Sequence, residues 1–206
     1  MDIWDKWQNH YKALGISGDE ICQDGIVDEQ KFRISKEKIL FVLKETNECI
    51  GHVEKFIKEP KGNTWKIGLW AVGLLNGFPP FEKINNDVEA KKEALSSVAW
   101  INLKKITGGN VSDERIINAY AFTDRHLLKK QITEINPTII VACGNGVFES
   151  LLWLLEPDNL PAEVYQSNPV WDKFFWKSCK VVGMIHPSAR NISNKEAYER
   201  LFETMK

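Results

Sequence analysis

The sequence lacks a long apolar run, and this absence excludes a class of protein. None of its apolar runs approaches the roughly 18 residues that a helix needs to cross a bilayer. Its opening residues mix acids, bases and tryptophan, and they lack the apolar core of a signal peptide. We therefore expect a cytoplasmic protein without a membrane-spanning segment.

Closely spaced cysteines are also missing. The four cysteines, Cys22, Cys49, Cys143 and Cys179, lie far apart in the chain. A zinc or iron–sulfur site usually contains at least one close cysteine pair. We therefore expect reduced thiols that fill small apolar spaces, with no metal and no other cofactor.

The chain has no excess of basic residues. Its formal net charge is −1, from 27 basic and 28 acidic side chains. Proteins that bind DNA tightly usually carry a basic excess, because neutralising phosphates supplies most of the non-specific affinity. Any nucleic-acid surface must therefore be a local patch, and the composition counts mildly against a role on DNA.

Four short apolar runs predict the strands of a parallel sheet. They are mostly apolar rather than alternating, as in strands that are covered on both faces. Helical patterns fill the gaps, so we predict an α/β fold with a parallel sheet between two helix layers. The length suits one domain, residues 1–206. The predicted strands are 38–43, 98–103, 138–143 and 180–185, and the predicted helices are 3–14, 65–75, 87–95, 113–135, 146–155 and 194–205.

Polar or glycine residues follow each predicted strand. Ligands of such sheets bind beyond the carboxyl ends of the strands, so these residues are the candidates for a site. Each of them also fits a purely structural role, as a helix cap, a satisfied buried amide, a tight turn or a histidine before proline. In chain order they are Glu45, Asn102, Gly144 and His186.

The ordered set of motifs resembles the uracil-DNA glycosylase superfamily. VAWINLKK (98–105) is similar to the strand that carries the base-reading asparagine, and VVGMIHPSAR (181–190) is similar to the strand and loop of the His-Pro-Ser motif. GNTWKIGLWAVGLLNG (62–77) resembles the stretch that offers an aromatic ring to the base. LLKKQITEINPTIIVACGNGVFESLL (127–152) resembles a helix, strand and glycine turn of the superfamily. The similarity runs in the correct order from about residue 38 to residue 190.

The resemblance implies a three-layer α/β/α sandwich around a four-stranded parallel sheet. It also implies hydrolysis of the bond between deoxyribose and a damaged base of DNA, usually uracil. His186 matches the motif histidine, Asn102 the base-reading asparagine, and Glu45 the acid after the first strand. The first motif, KETN (44–47), lacks the glycines and the proline that shape the superfamily's loop.

Glycosidic hydrolysis gives these residues chemical roles. A carboxylate near the sugar stabilises the oxocarbenium-like transition state and activates water. Glu45 is the candidate for this role, and Asn47 is the fallback. A fixed N–H donor at the base oxygen stabilises the leaving anion, and His186 suits that role.

Recognition of the base needs an amide and an aromatic ring. The side chain of Asn102 can pair with N3–H and O4 of uracil. A base that is flipped out of the stack can be held by an aromatic ring, and Trp65 is the first choice and Phe81 the second. Gly144 and Ser188 complete the expected substrate-binding set.

Other basic and aromatic residues lie near the motifs. Arg190 is expected to contact phosphate or to fill the space that the flipped base leaves, although a solvated surface charge fits it equally well. Trp171 and Trp176 precede the last predicted strand, and they fit either core packing or an aromatic surface beside the site. Lysines that offer phosphate contacts, or only solvated charge, are Lys104, Lys105 and Lys177.

Three functions therefore compete. The first is a monomeric DNA glycosylase, which the ordered motifs favour. The second is a nucleic-acid- or nucleotide-binding module with the same fold but no catalysis, which the altered first loop and the near-neutral charge favour. The third is an enzyme acting on a small nucleotide, which needs no basic DNA surface. The fold alone does not decide among them.

Overall fold

The computed structural model describes residues 2–47, 51–58, 60–109, 111–156 and 171–206. A short 3₁₀ turn covers Gly18–Glu20. The strands are β1 (Cys22–Gln23), β2 (Gly25–Ile26), β3 (Ile39–Leu43), β4 (Gly51–His52), β5 (Ala99–Asn102), β6 (Ile139–Cys143), β7 (Lys173–Trp176) and β8 (Cys179–Met184). The helices are α1 (Ile3–Ala13), α2 (Glu29–Ile34), α3 (Glu54–Lys58), α4 (Asn63–Asn76), α5 (Phe81–Ile84), α6 (Val88–Ser96), α7 (Glu114–Thr123), α8 (Arg125–Ile135), α9 (Asn145–Leu155) and α10 (Asn194–Met205).

Six of these strands form one mixed sheet in the order β2-β5-β3-β6-β8-β7. The inner strands β5, β3, β6 and β8 run parallel to one another, and both edge strands run antiparallel to their neighbours. The predicted α/β architecture is confirmed. The sheet is larger than the four strands predicted, and it is not purely parallel, because two short edge strands extend it.

The inner strands are buried on both faces, as their apolar sequences predict. Along β3, Leu40 and Val42 point into one core, and Ile39 and Phe41 point into the other. Helices α1, α7, α8 and α9 supply side chains to the first core, and α4, α6 and α10 supply the second. Helices therefore cover both faces of the mixed sheet.

One predicted helix is in fact two. The pattern over 113–135 separates into α7 and α8 at Asp124, which ends the first helix and begins the second. The buried carboxylate of Asp124 accepts hydrogen bonds from the Tyr11 hydroxyl (2.5 Å) and lies 2.8 Å from His10 Nε2, both on α1. These contacts hold the break in the helix against the first helix of the chain. Among the described residues, no helix has the length and apolar character needed to cross a membrane.

The cysteines differ in their chemistry. Cys143 and Cys179 are buried free thiols, and burial raises the pKa of Cys179 to about 12. Cys22 is disulfide-bonded, so the expectation of a reduced thiol is wrong at this residue. Cys49 lies outside the described residues.

Candidate functional site

A cleft of about 520 Å³ lies at the carboxyl ends of β3, β6 and β8. The parallel arrangement brings the residues after these strands to one edge of the sheet. Among the described residues, its walls come from the strand ends, from a residue two positions before β7, from the start of α7 and from the last loop and helix. They are Lys44, Glu114, Gly144, Asn145, Trp171, Ile185, His186, Ala189, Asn191, Ile192, Glu196 and Arg200.

The turn at Gly144 forms the floor between two of these strand ends. Gly144 has φ +116° and ψ 152°, a conformation that is almost restricted to glycine. Its N–H donates to the carbonyl of Met184, at 2.7 Å, which fixes the turn against β8. A Cβ at this position would lie 3.7 Å from both His186 Cβ and Lys44 Cε. The predicted glycine turn therefore lies directly beneath the predicted histidine.

His186 is held in one tautomer by its own turn. The backbone N–H of Ser188 donates to His186 Nδ1 at 3.2 Å, and the Ser188 hydroxyl lies 2.6 Å from the same nitrogen. A backbone N–H can only donate, so Nδ1 acts as an acceptor and the proton of the neutral ring is on Nε2. The motif serine thus positions the histidine, and the ring offers an Nε2–H donor.

The environment of His186 keeps the ring uncharged at neutral pH. Burial, followed by the positive charges of Lys44 and Lys66, lowers the pKa of His186 to about 4. Lys66 lies on α4, and its ammonium donates to the carbonyl of Ala189 at 3.0 Å. Helix α4 therefore packs against the loop that carries the histidine and contributes a cation beside it.

Ion pairs tie the other charged residues of the cleft together. Lys44 Nζ lies 2.6 Å from Glu114 Oε1, so the end of β3 is joined to the start of α7. Arg200 Nη2 lies 2.6 Å from Glu196 Oε1, one turn earlier on α10. The Arg200 guanidinium also lies 5.5 Å from the centre of the Trp171 ring. The cations of the cleft are therefore held in place before any ligand binds.

Glu45, the expected carboxylate, is placed beside the neighbouring strand end. Its Oε2 lies 2.5 Å from Lys104 Nζ, and both side chains are almost fully buried. Gly108 packs against the carboxyl group so closely that a Cβ there would overlap it. Asn47 is exposed and pairs with Gly108 through a single β-bridge. Neither Glu45 nor Asn47 is among the described residues that line the cleft.

Asn102, the expected base-reading amide, is part of a buried polar network. Its backbone N–H donates to Asp24 Oδ2 at 2.8 Å, and its Nδ2 lies 3.3 Å from the same oxygen. Asp24 also receives Lys105 Nζ at 2.8 Å and Gln131 Nε2 at 3.0 Å. Asn102 is 1% exposed. The structure therefore places this amide in the interior and outside the lining of the cleft.

Neither of the expected stacking residues, Trp65 and Phe81, lines the cleft, whereas Trp171, which the sequence assigned either to the core or to an aromatic surface, does. Trp65 lies in the first turn of α4, with Lys91 Nζ 6.0 Å from the centre of its ring. Phe81 packs against Tyr198, with ring centres 6.1 Å apart. Among the described residues, Trp171 is the aromatic residue that lines the cleft.

The expected basic residues also occupy varied positions. Arg190 is exposed beside the cleft, between the lining residues Ala189 and Asn191. Lys177 is exposed in the turn between β7 and β8. Lys104 and Lys105 are buried in ion pairs, so they are not surface charges.

The residues that sequence reasoning missed are Lys44, Lys66, Glu114 and Arg200. Lys44 directly follows a predicted strand, so the strand-end argument could have included it. The other three come from helices, and no local pattern marks them. No family model matches the chain, and no curated protein matches it significantly. The functional assignment therefore depends on the chemistry of the cleft.

Proposed function

We propose that this protein is a glycosylase-like hydrolase, which accepts a flipped-out base in the cleft and cleaves the bond between the base and deoxyribose in DNA. One observation carries the proposal, namely the neutral imidazole of His186 with its proton on Nε2 in the cleft. Such a ring can donate a hydrogen bond to a carbonyl oxygen of the base. It does so from a fixed position, because Ser188 holds the opposite nitrogen.

The reaction gains from this donor as the glycosidic bond breaks. The electron pair of that bond moves onto the base, so negative charge develops on the base oxygen, while C1′ of the sugar bonds to the oxygen of a water molecule whose proton passes to solvent. A preorganised donor at this oxygen stabilises the anion and is worth roughly 3–4 kcal/mol of barrier. The charges of Lys44 and Lys66, which disfavour protonation of His186, favour an anionic base for the same electrostatic reason.

The arrangement of the sheet supports the same proposal. The cleft lies beyond the carboxyl ends of β3, β6 and β8, which run parallel, and ligands of such sheets bind at this edge. The partner is DNA that contains uracil or a related damaged base, bound by a monomer. Two cations of the cleft are already paired with carboxylates and the net charge is −1, so we expect weak non-specific DNA binding with a shallow salt dependence.

The test is release of free base from single- and double-stranded oligonucleotides that contain uracil. His186→Ala removes one preorganised donor, so the variant should release base about 10²–10³-fold more slowly than wild type. Ser188→Ala keeps the backbone donor to Nδ1, so it should slow release much less. If folded wild-type protein releases no base from either substrate, the proposed reaction is wrong.

A second candidate is a binding module that recognises the base without cleaving it. It is favoured by the position of Glu45, which is paired with Lys104 and lies outside the cleft lining. In this case fluorescence anisotropy should show that the same oligonucleotides bind to the protein, but no base is released. His186→Ala then weakens binding, whereas Glu45→Gln leaves it unchanged.

A further inference from the structure

The cleft contains a planar wall that the proposed reaction does not yet use. Trp171 lines the cleft, is half-buried and packs partly against the core that α4, α6 and α10 supply. The aromatic residues expected from the sequence, Trp65 and Phe81, do not line it. A ring that enters the cleft therefore meets Trp171 as its aromatic neighbour among the described residues.

The backbone of Trp171 is held against β8. Trp171 has φ +72°, a left-handed conformation that bulky residues rarely adopt. Its N–H donates to the carbonyl of Gly183 at 3.0 Å, and the N–H of Gly183 donates to the carbonyl of Asp172 at 2.8 Å. These two bonds attach the residue to β8, the strand that leads to His186. Trp171 is thus attached to the strand that precedes the imidazole donor.

A second planar group lies against the indole. The Arg200 guanidinium lies 5.5 Å from the centre of the Trp171 ring, and Glu196 holds it at 2.6 Å. A guanidinium is flat and weakly hydrated, so it stacks on aromatic rings more readily than an ammonium does. The pair thus provides two preorganised planar groups at one wall of the cleft.

We propose that Trp171 and Arg200 form a planar subsite that holds the ring of a nucleobase while His186 contacts its oxygen. This inference depends on the proposed function, because it names the residues that position the base in the same cleft. Stacking on an aromatic ring tolerates any base, since each base has a π-face. His186 would then favour bases that have a carbonyl oxygen, and Trp171 and Arg200 would supply the holding strength.

The test compares binding of 2′-deoxyuridine with binding of 2-deoxyribose 5-phosphate, which has no base, by isothermal titration calorimetry. Trp171→Gly suits the left-handed backbone, so it removes the indole with the fold retained. It should raise the Kd for 2′-deoxyuridine about 5- to 150-fold, the range expected for one lost stacking contact. Trp171→Phe should recover most of the affinity, and Arg200→Lys, which keeps the charge but loses the plane, should weaken binding several-fold.

A matched pair outside the cleft provides the control. Phe122 is exposed, and the Arg125 guanidinium lies 4.7 Å from the centre of its ring. Phe122→Ala and Arg125→Lys should leave the Kd unchanged.

The outcomes separate this inference from the proposed reaction. If wild type releases uracil but Trp171→Gly binds 2′-deoxyuridine normally, the subsite is wrong and the reaction stands. If 2′-deoxyuridine binds through Trp171 but no base is released from DNA, the subsite stands and the reaction is wrong. If wild type does not bind 2′-deoxyuridine, or binds the sugar phosphate equally well, the subsite is overturned.

Discussion

The carboxylate of Glu45 and the ammonium of Lys104 form a nearly buried ion pair, 2.5 Å long, at the ends of two neighbouring parallel strands. The preceding residue, Lys44, lines the cleft and approaches Gly144. Glu45, by contrast, is held by Lys104 at the end of β5 and does not line the cleft. This ion pair separates the expected carboxylate from the cleft that His186 lines.

Gly108 provides a direct test of the Glu45 position. A Cβ at Gly108 would overlap the carboxyl group of Glu45, so Gly108→Ala should displace that group and destabilise the fold by about 1–3 kcal/mol. Glu45→Ala leaves buried Lys104 unpaired and is itself destabilising, but adding Gly108→Ala to it should cost little more, because the carboxyl group that the new methyl would meet is gone. Gly109→Ala is the control, since no atom lies within 4 Å of its Cβ. Urea unfolding measures wild type and the four variants, and equal stability of Gly108→Ala and Gly109→Ala would contradict the contact.

Breaking the buried pair of Lys105 and Asp24 should strongly destabilise the fold. Both side chains are fully buried and 2.8 Å apart, so Lys105→Met leaves a buried carboxylate without its cation. We expect the free energy of unfolding to fall by about 3–5 kcal/mol. When Asp24→Asn is added, the loss of the double variant should be smaller than the sum of the two single losses. Lys195→Met, which removes an exposed pair with Glu82, should cost about 0–1 kcal/mol. Additive losses in the double-mutant cycle would show that the two side chains do not interact.

Only some of the residues that follow predicted strands line the cleft, and the reason is physical. His186 and Gly144 lie in the cleft because backbone position alone brings them there. Glu45 and Asn102 also lie at strand ends, but their side-chain directions depend on partners far away in the sequence, such as Asp24. The sequence predicts which residues follow a strand. It does not predict which distant residue will bind a polar side chain at that place.

The same distinction applies to the fold. The four inner strands were predicted because each is a continuous apolar run that is buried on both faces. Strand β2 has two residues, and β7 begins with the exposed Lys173, so neither has the apolar pattern of a buried strand. Their pairing is imposed by the neighbouring strands. The position of Trp171 likewise depends on its backbone hydrogen bonds to β8 rather than on a local sequence pattern.

The pKa of His186 predicts a specific dependence of stability on pH. Because the folded pKa is about 4, below the ordinary value of 6.5, the unfolded chain binds more protons between these two values. The free energy of unfolding should therefore fall as the pH falls from 6.5 to 4, by at most about 3 kcal/mol from this residue. His186→Gln should remove that part of the dependence, and His126→Gln, at an exposed position, should not. Urea unfolding at pH 7 and pH 4.5 measures how much stability each protein loses. An equal loss in wild type and His186→Gln would contradict the lowered pKa of His186.

The turn at Gly144 links backbone geometry to the chemistry of the cleft. A Cβ at this position meets atoms only at ordinary contact distances of 3.7 Å or more, so the cost of Gly144→Ala comes from its φ of +116°. Backbone strain of this kind should destabilise the protein by about 1–3 kcal/mol. Because the turn lies beneath His186, the strain should also move the imidazole and slow base release. Gly146→Ala, two residues later in the first turn of α9, introduces no close contact and should stabilise the helix by about 0.5–1 kcal/mol. Thermal unfolding should therefore show that Gly144→Ala is less stable than wild type and that Gly146→Ala is more stable. Base release is measured on the same two variants. A Gly144→Ala protein as stable and active as wild type would show that the left-handed turn does not position the histidine.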